Sequence, residues 1–177
     1  MFLYYIWKLS NSTKKVKITT TIVILVVPTI IILLSLGVFS YRNFAITGNS
    51  MSPSLNKDAL IFVKKIDPEN LKRGDIVVFD SPWNDDVEII RRVFGLPGDV
   101  VKVSSGSVYL NNELFRKYDP KKSTEIIQDN EKIIPQNSVF VLSDNLQHGT
   151  DSRNWGVVPF SSINYIYVYC YYKCSEN

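Results

Sequence analysis

The sequence has a single histidine, His148, and only two cysteines, Cys170 and Cys174, among its 177 residues. One histidine and two late cysteines do not make the ligand cluster of a zinc site, so we expect no metal and no cofactor. Two cysteines also cannot build the disulfide framework of a small secreted domain. On an extended strand rising about 3.3 Å per residue they would lie too far apart to bridge, so we expect free thiols.

The charge balance excludes a strongly basic surface of the kind that binds nucleic acids. Lysine and arginine number 20, and aspartate and glutamate number 17. Four of the lysines and none of the acids lie in residues 1–17, which leaves 16 basic and 17 acidic residues in the rest of the chain. The basic isoelectric point therefore reflects the N-terminal tail, and we expect no nucleic-acid partner.

Charged residues are absent from 18–41, a run of 24 positions rich in Ile, Val and Leu. A helix needs roughly 20 apolar residues to cross the bilayer core, and Pro28 is tolerated in such a helix. The apolar core of a cleaved signal peptide is usually shorter, about 7–15 residues, so we predict an uncleaved transmembrane helix over 18–41. Only Arg42 follows it closely, so the positive-inside rule predicts a cytoplasmic tail over 1–17 and an extracytoplasmic domain over 42–177.

Short apolar runs separated by turn residues predict one compact, mainly β domain after this helix. The alternation of tyrosine with other residues near the C-terminus is typical of a final strand. Two valine-rich runs flank 104–107, which indicates a hairpin. The polar, lysine-rich stretch 111–134 indicates a surface excursion. The predicted strands are 44–46, 59–63, 76–79, 87–94, 100–103, 108–110, 138–142 and 165–172.

The segment Gly48–Leu55 places Ser50 in a short turn directly after an apolar run. Pro53 fixes its own φ and biases Ser52 toward extended geometry, and Gly48 permits backbone angles that a bulkier residue resists. Such a turn can hold a serine side chain off the end of a strand, where a substrate reaches it. Taken alone, the motif is weak, because most segments of this composition are ordinary polar loops.

A serine hydroxyl becomes an effective nucleophile only when a base takes its proton. Serine hydrolases commonly use histidine for this step. His148 lies about a hundred residues from Ser50 along the chain. A lone histidine in a loop is more often incidental, so a pair of Ser50 with His148 is the weaker hypothesis.

Three later stretches favour a catalytic role for Ser50 over an ordinary polar loop. They are Arg73–Phe79, Arg91–Asp99 and Ser143–Gly156. With the S-M-x-P of Ser50–Pro53 and the apolar N-terminal run, they occur in the order and rough spacing of the type I signal peptidases, which the chain resembles as far as Val158. The resemblance implies a membrane-anchored serine endopeptidase that removes signal peptides from exported preproteins, after small residues such as Ala-x-Ala, at the outer membrane face.

The resemblance assigns the nucleophile to Ser50 and a lysine base to position 91. That position holds Arg91, and arginine keeps its proton in proteins. Many family members also have a serine that orients the lysine, two residues before D-S-R, where this chain has Gly149. The two departures raise the alternative of a catalytically impaired homologue that binds exported proteins as an assembly factor. A rebuilt base would have His148 and Thr150 as nearby candidates.

The resemblance also implies a groove that binds the substrate as an added β-strand, next to the lipid bilayer. We expect the backbone N–H of Ser50 to meet the oxyanion, with no side-chain donor at Gly48. The expected substrate-binding residues are Phe44, Ala45, Ile46, Thr47, Met51, Ile76, Val77 and Val78. The residues expected to support the site structurally are Asp151, Arg153, Asp99 and Arg92.

Overall fold

A computed structural model describes residues 14–38, 40–121 and 130–174, and the chain divides into two compact units, Met1–Ser40 and Tyr41–Asn177. The first unit contains helix α1 (Lys14–Val38), which has Pro28 in its interior. Among the described residues, no helix combines the length and the apolarity of a membrane span. The transmembrane helix expected over 18–41 therefore stays a prediction, and most of the expected tail lies outside the described residues.

The second unit is mainly β, as predicted. In the described part of the chain it has one short helix, α2 (Ser152–Trp155), and single 3₁₀ turns at Pro68–Asn70 and Phe160–Ser162. The strands are β1 (Tyr41–Ala45), β2 (Leu60–Lys65), β3 (Ile76–Ser81), β4 (Asn84–Gly95), β5 (Val100–Ser104), β6 (Ser107–Leu110), β7 (Glu113–Lys117), β8 (Asn130–Ile133), β9 (Ser138–Leu142), β10 (Val158–Pro159) and β11 (Ile163–Tyr172).

The strands form two antiparallel sheets. The larger sheet has the order β1-β2-β11-β3-β4-β9-β10, and the smaller has the order β7-β6-β5-β8. The last strand, β11, therefore returns to lie between β2 and β3. The stretch 111–134 was expected to be a surface excursion, and it contributes β7 and β8, the two edges of the smaller sheet. Residues 122–129 of that stretch lie outside the described residues.

Alternation along the strands divides the core between the two faces of the larger sheet. Val78 belongs to a first cluster, which lies beneath Ser50 and includes Ile46, Met51, Leu55 and Ile90. The neighbours of Val78 along β3 point to the opposite face, where they pack against β9. A further cluster lies between the smaller sheet and the end of β9. The Ser50 segment is thus mounted on an apolar support.

Cys170 and Cys174 form a disulfide, with their Cα atoms 5.8 Å apart. The expectation of two free thiols is wrong. It assumed that the chain stays extended as far as 174, but β11 ends at Tyr172. Lys173 then turns the chain with a φ of 49°, which brings Cys174 back to within bridging distance of Cys170.

We predict that the paired substitution Cys170→Ser/Cys174→Ser lowers the free energy of unfolding by about 2 kcal/mol, because a short closed loop restricts the unfolded chain by roughly that amount. Urea denaturation of the two proteins under non-reducing conditions measures the difference. As a chemical control, the untreated protein should take up no iodoacetamide and the reduced protein two equivalents. Alkylation without a reductant would contradict the disulfide.

Candidate active site

The loop that carries Ser50 is closed at its base and anchored from inside. The N–H of Ile46 donates to the carbonyl of Ala59 at 2.9 Å, and the N–H of Asp58 donates to the carbonyl of Ile46 at 2.7 Å. Met51 is fully buried in the first cluster. Since the next side chain points inward, Ser50 is left half-buried at the surface of the loop.

Arg91 is a buried side chain of β4 that reaches Ser50. Its Nη1 donates to Ser50 Oγ at 2.9 Å, while Nε and Nη2 donate to the carbonyl of Thr150 at 2.9 and 2.7 Å. Burial lowers the pKa of Arg91 to about 10; the charge of Asp151 opposes this shift and that of Arg153 adds to it. The guanidinium is therefore still charged at neutral pH, and it donates to the serine rather than accepting its proton.

The sequence-predicted nucleophile and the position predicted for its base are thus brought into contact. The stretch Ser143–Gly156 was expected to belong to the site, but the contacts by which it holds the pair were missed, because they use backbone groups. The N–H of Asn145 donates to the carbonyl of Ser50 at 2.9 Å, and the carbonyl of Thr150 receives Arg91. Two backbone groups of one loop therefore fix both members of the pair.

Asp151 and Arg153 form an ion pair that has no solvent exposure. Arg153 Nε and Nη2 donate to the two carboxylate oxygens of Asp151 at 2.7 and 2.9 Å. The same carboxylate caps α2 and accepts the N–H of Ser143 at 2.9 Å. Arg153 also donates to the carbonyl of Gly149 and lies 4.7 Å from the ring centre of Tyr118. The pair therefore joins the end of β9, the loop before α2, and α2 itself.

Gly149 is packed directly against Ser143. A Cβ at position 149 would lie 1.9 Å from Ser143 Oγ and 2.2 Å from Ser143 Cβ. The Ser143 hydroxyl is buried and has no hydrogen-bond partner in the part of the chain that the structure describes. Ser143 thus takes the space that a side chain at position 149 would need.

His148 is exposed. Its N–H donates to the carbonyl of Asn145 at 3.3 Å, and in the described ranges no hydrogen bond joins its imidazole to Ser50. Nothing in this geometry makes His148 a partner of the serine.

Arg92 supports the loop next to Ser50. Its Nε and Nη2 donate to the carboxylate of Asp144 at 2.7 and 2.5 Å, and its Nη1 donates to the carbonyl of Gly74. The hydrogen bonds that Arg92 donates to the Asp144 carboxylate raise the pKa of Arg92. Arg92 therefore ties β4 to the loop that follows β9 and to the chain before β3.

Asp99 supports the turn between β4 and β5. Partial burial acts to raise the pKa of Asp99, but hydrogen bonds from Asn111 and from the N–H of Leu96, together with the charge of Arg73, lower it. Arg73 Nη2 lies 3.0 Å from the carboxylate. The contacts of Asp99 are thus made within and around this turn, away from Ser50.

The expected groove residues separate into two groups. Phe44 and Ala45 lie on β1, the edge strand of the larger sheet, with Thr47 just beyond it and exposed. Ile46, Met51, Ile76 and Val78 share the first cluster beneath Ser50.

Two of the groove expectations need correction. Val77 points to the other face of the sheet, because successive strand residues alternate. The strand around 76–79 cannot pair with a substrate strand, since β11 and β4 already occupy both of its sides. In the part of the chain that the structure describes, the strands at the two ends of this sheet are β1 and β10. A separate expectation concerned Gly48, which was thought to need backbone angles that a bulkier residue resists. Its φ lies outside the left-handed region, so the structure does not use that freedom.

Comparison with known proteins identifies the family. The chain matches the family model described as signal peptidase, peptidase S26, over residues 19–171. The crystal structure of a signal peptidase I from Enterococcus faecalis is 27% identical and covers 53% of this chain and 93% of its own, with a TM-score of 0.42.

Two curated relatives come from Bacillus subtilis. Signal peptidase I U is 30% identical over 156 residues, 82% of this chain and 83% of that protein. Signal peptidase I S is 30% identical over 159 residues, 83% of this chain and 84% of that protein. Because the family model and both relatives match most of its length, this chain belongs to the signal peptidase family, peptidase S26.

Proposed function

We propose that the protein is a membrane-attached serine endopeptidase that removes signal peptides from exported preproteins, with Ser50 as the nucleophile. The observation that carries this proposal is the contact of 2.9 Å between Ser50 Oγ and Arg91 Nη1. It pairs the serine with the residue at the position of the family's lysine base. The names of the relatives, signal peptidase I, support the same reaction.

In the proposed reaction, Ser50 Oγ bonds to the carbonyl carbon of the scissile peptide and passes its proton to a neutral Arg91 Nη1. The backbone N–H of Ser50 donates to the oxyanion. Arg91 then gives the proton to the amide nitrogen as the C–N bond breaks and the amine leaves. Water next gives a proton to Arg91 and bonds to the acyl carbon, and the proton passes to Ser50 Oγ as the ester bond breaks. With a pKa of about 10, the guanidine is neutral in about one molecule per thousand at pH 7, so we propose that the proton on Arg91 limits the rate.

We propose that the substrate strand pairs with the open edge of β1, beside Phe44 and Ala45. One side of β1 is bonded to β2, and among the described residues no strand pairs with its other side, where a substrate strand would be added. The first cluster, with Met51 and Ile90, would then form the apolar floor for small side chains before the cleaved bond.

We propose that the uncharged run 18–41 attaches the protein to the membrane. The four lysines before it favour an N-terminus in the cytoplasm and a β domain outside, where exported preproteins would emerge. Membrane attachment would thus bring Ser50 to the same compartment as its substrates.

A second candidate function is binding without cleavage. A charged guanidinium donates to Ser50, and no base that could take the serine proton at neutral pH lies against it in the described ranges. A homologue of this kind would hold signal-peptide-bearing proteins and act as an assembly factor. This function predicts that the unmodified protein binds such peptides and leaves them intact at every pH.

We predict that Arg91→Lys raises the rate at which the purified full chain, in detergent, cleaves an Ala-x-Ala peptide at pH 8. Lysine has a lower intrinsic pKa, about 10.4, and the same burial lowers it further, so a larger fraction is neutral. General-base help is worth roughly 10²–10⁴ in rate, which sets the scale of the expected gain.

The matched control for that gain is Arg92→Lys, because the adjacent arginine is paired with Asp144 and does not contact Ser50. Arg92→Lys should not raise the rate, and Ser50→Ala should abolish cleavage in either background. An Arg91→Lys protein no faster than the parent would refute position 91 as the site of the base.

We predict that cleavage by the unmodified protein increases with pH. The neutral fraction of Arg91 grows tenfold per unit below its pKa of about 10 and levels off above it. The logarithm of kcat/KM should therefore rise with a slope near one between pH 7 and 9, after subtraction of the Ser50→Ala rate. In Arg91→Lys the plateau should begin at lower pH, and a flat profile for the parent would argue against Arg91 as the base.

We predict that Gly149→Ser does not help Arg91→Lys unless Ser143 is also made small. The added side chain would overlap Ser143, and overpacking of this kind costs about 1–3 kcal/mol. Thermal unfolding should show a loss of stability in Arg91→Lys/Gly149→Ser, and a recovery when Ser143→Gly is added. That triple variant should also cleave faster than Arg91→Lys alone, whereas equal stability of all three proteins would mean that the space is not shared.

A further inference from the structure

Two adjoining cavities lie beside the Ser50 loop, and neither is lined by Ser50 or Arg91. The first, of about 310 Å³, lies between β4, the end of β9 and the edge strand β7. The second, of about 450 Å³, lies between β7 and the loop that carries Ser52 and Pro53. Both are lined by Arg116 and Asp144, so they adjoin at these two residues, and we call the two together the Arg116 cleft.

The Arg116 cleft carries an excess of positive charge. Its lining includes Arg73 and Arg92, which pair with the carboxylates of Asp99 and Asp144, and also Arg116 and Lys117. Arg116 donates to the backbone carbonyl of Asp144 at 3.0 Å. Within the described ranges, no carboxylate lies at ion-pair distance from Arg116 or Lys117. Two exposed cations on an edge strand are thus available to an anionic ligand.

The cleft also has an apolar wall. Phe115 is 52% exposed, and its ring lies 4.6 Å from that of Phe94. Leu142 completes this wall at the end of β9. The guanidinium of Arg116 lies 5.4 Å from the centre of the Phe115 ring, so the cationic and apolar contacts are adjacent. A ligand that fits both would combine a carboxylate with an apolar group.

The cleft begins next to the nucleophile. Ser52 and Pro53 line it two and three residues after Ser50. Asn145, which also lines it, donates its N–H to the carbonyl of Ser50 at 2.9 Å. None of the residues of the first cluster lines either cavity, so the cleft is separate from the proposed groove for the residues before the cleaved bond.

We propose that the Arg116 cleft binds an acidic, partly apolar peptide segment, namely the part of the preprotein that follows the cleaved bond. Arg116 and Lys117 would pair with acidic side chains, and Phe115 would contact an apolar one. The inference rests on the proposed function, since it needs a substrate that passes Ser50. It makes the cleft a determinant of which preproteins bind best.

Binding to full-length Ser50→Ala protein in detergent tests the proposal without requiring cleavage. Three fluorescein-labelled peptides of equal length contain an Ala-x-Ala site. In the first, two glutamates and a phenylalanine follow the site; in the second, glutamines replace the glutamates; in the third, the glutamates come before the site. Fluorescence anisotropy should give a Kd roughly three- to tenfold lower for the first peptide than for the glutamine peptide. The difference should shrink in high salt, because these cations are exposed.

Arg116→Gln/Lys117→Gln should remove this preference for glutamate. The matched control is Lys102→Gln/Lys132→Gln, which removes two exposed cations from β5 and β8 of the same sheet and should keep the preference. Phe115→Ala should weaken the binding of the glutamate and glutamine peptides equally. These variants alter exposed residues, and circular dichroism would verify that each is folded.

Equal affinity for the glutamate and glutamine peptides would overturn the proposal, as would a preference that survives Arg116→Gln/Lys117→Gln. The same preference for glutamates placed before the site would overturn the assignment to the segment after the cleaved bond. If the parent cleaves but shows no preference for acidic peptides, the proposed role of the Arg116 cleft is wrong and the proposed endopeptidase activity stands. If the parent prefers acidic peptides but cleaves none at any pH, the proposed role of the Arg116 cleft is supported and the proposed endopeptidase activity is wrong.

Discussion

The buried ion pair of Asp151 and Arg153 is the constraint on which the site depends. Two charges without solvent exposure are stable only when their hydrogen-bonding capacity is largely used, and removing one partner of such a pair typically costs about 3–5 kcal/mol. Asp151 meets this condition by capping α2 and accepting the N–H of Ser143. The loop between β9 and α2 is therefore fixed at both ends, and its Thr150 carbonyl is held where Arg91 can reach it.

A second buried arginine beside this pair changes the electrostatics of the nucleophile. Arg91 loses its hydration on β4, and the like charge of Arg153 adds to the fall in its pKa, which Asp151 only partly opposes. Three of its hydrogen bonds go to Thr150 and Ser50. The same burial that would prepare a lysine to act as a base leaves an arginine charged at neutral pH, because its intrinsic pKa is about two units or more higher.

Most of the strands, though not β7, β8 and β10, could be predicted from apolar runs and alternation, which are local signals. The pairing of Ser50 with position 91 was expected from the four ordered motifs that resemble those of the family. The disulfide of Cys170 with Cys174 could not, since it depends on the positive φ of one residue, Lys173. The place of Val77 was mistaken because a continuous apolar run does not show which face each residue takes. The contact of Gly149 with Ser143 could not be predicted either. The two residues lie on opposite sides of a loop, and their approach depends on the conformation of that loop, which no sequence pattern indicates.

The contact of Gly149 with Ser143 also limits which side chain position 149 can hold. A side chain at position 149 would lie against Ser143 and near the carbonyl of Asn145, but Ser143 fills this space and its own hydroxyl has no partner among the described residues. A buried hydroxyl without a partner costs roughly 1–3 kcal/mol, so it persists only if its surroundings hold it there. Arg91 uses Nε and Nη2 on the Thr150 carbonyl and Nη1 on Ser50, whereas a lysine at this position would have a single nitrogen for both partners. The carbonyls of Gly149 and Thr150 receive Arg153 and Arg91, so a side chain that moved this short segment would disturb the contact of Arg91 with Ser50.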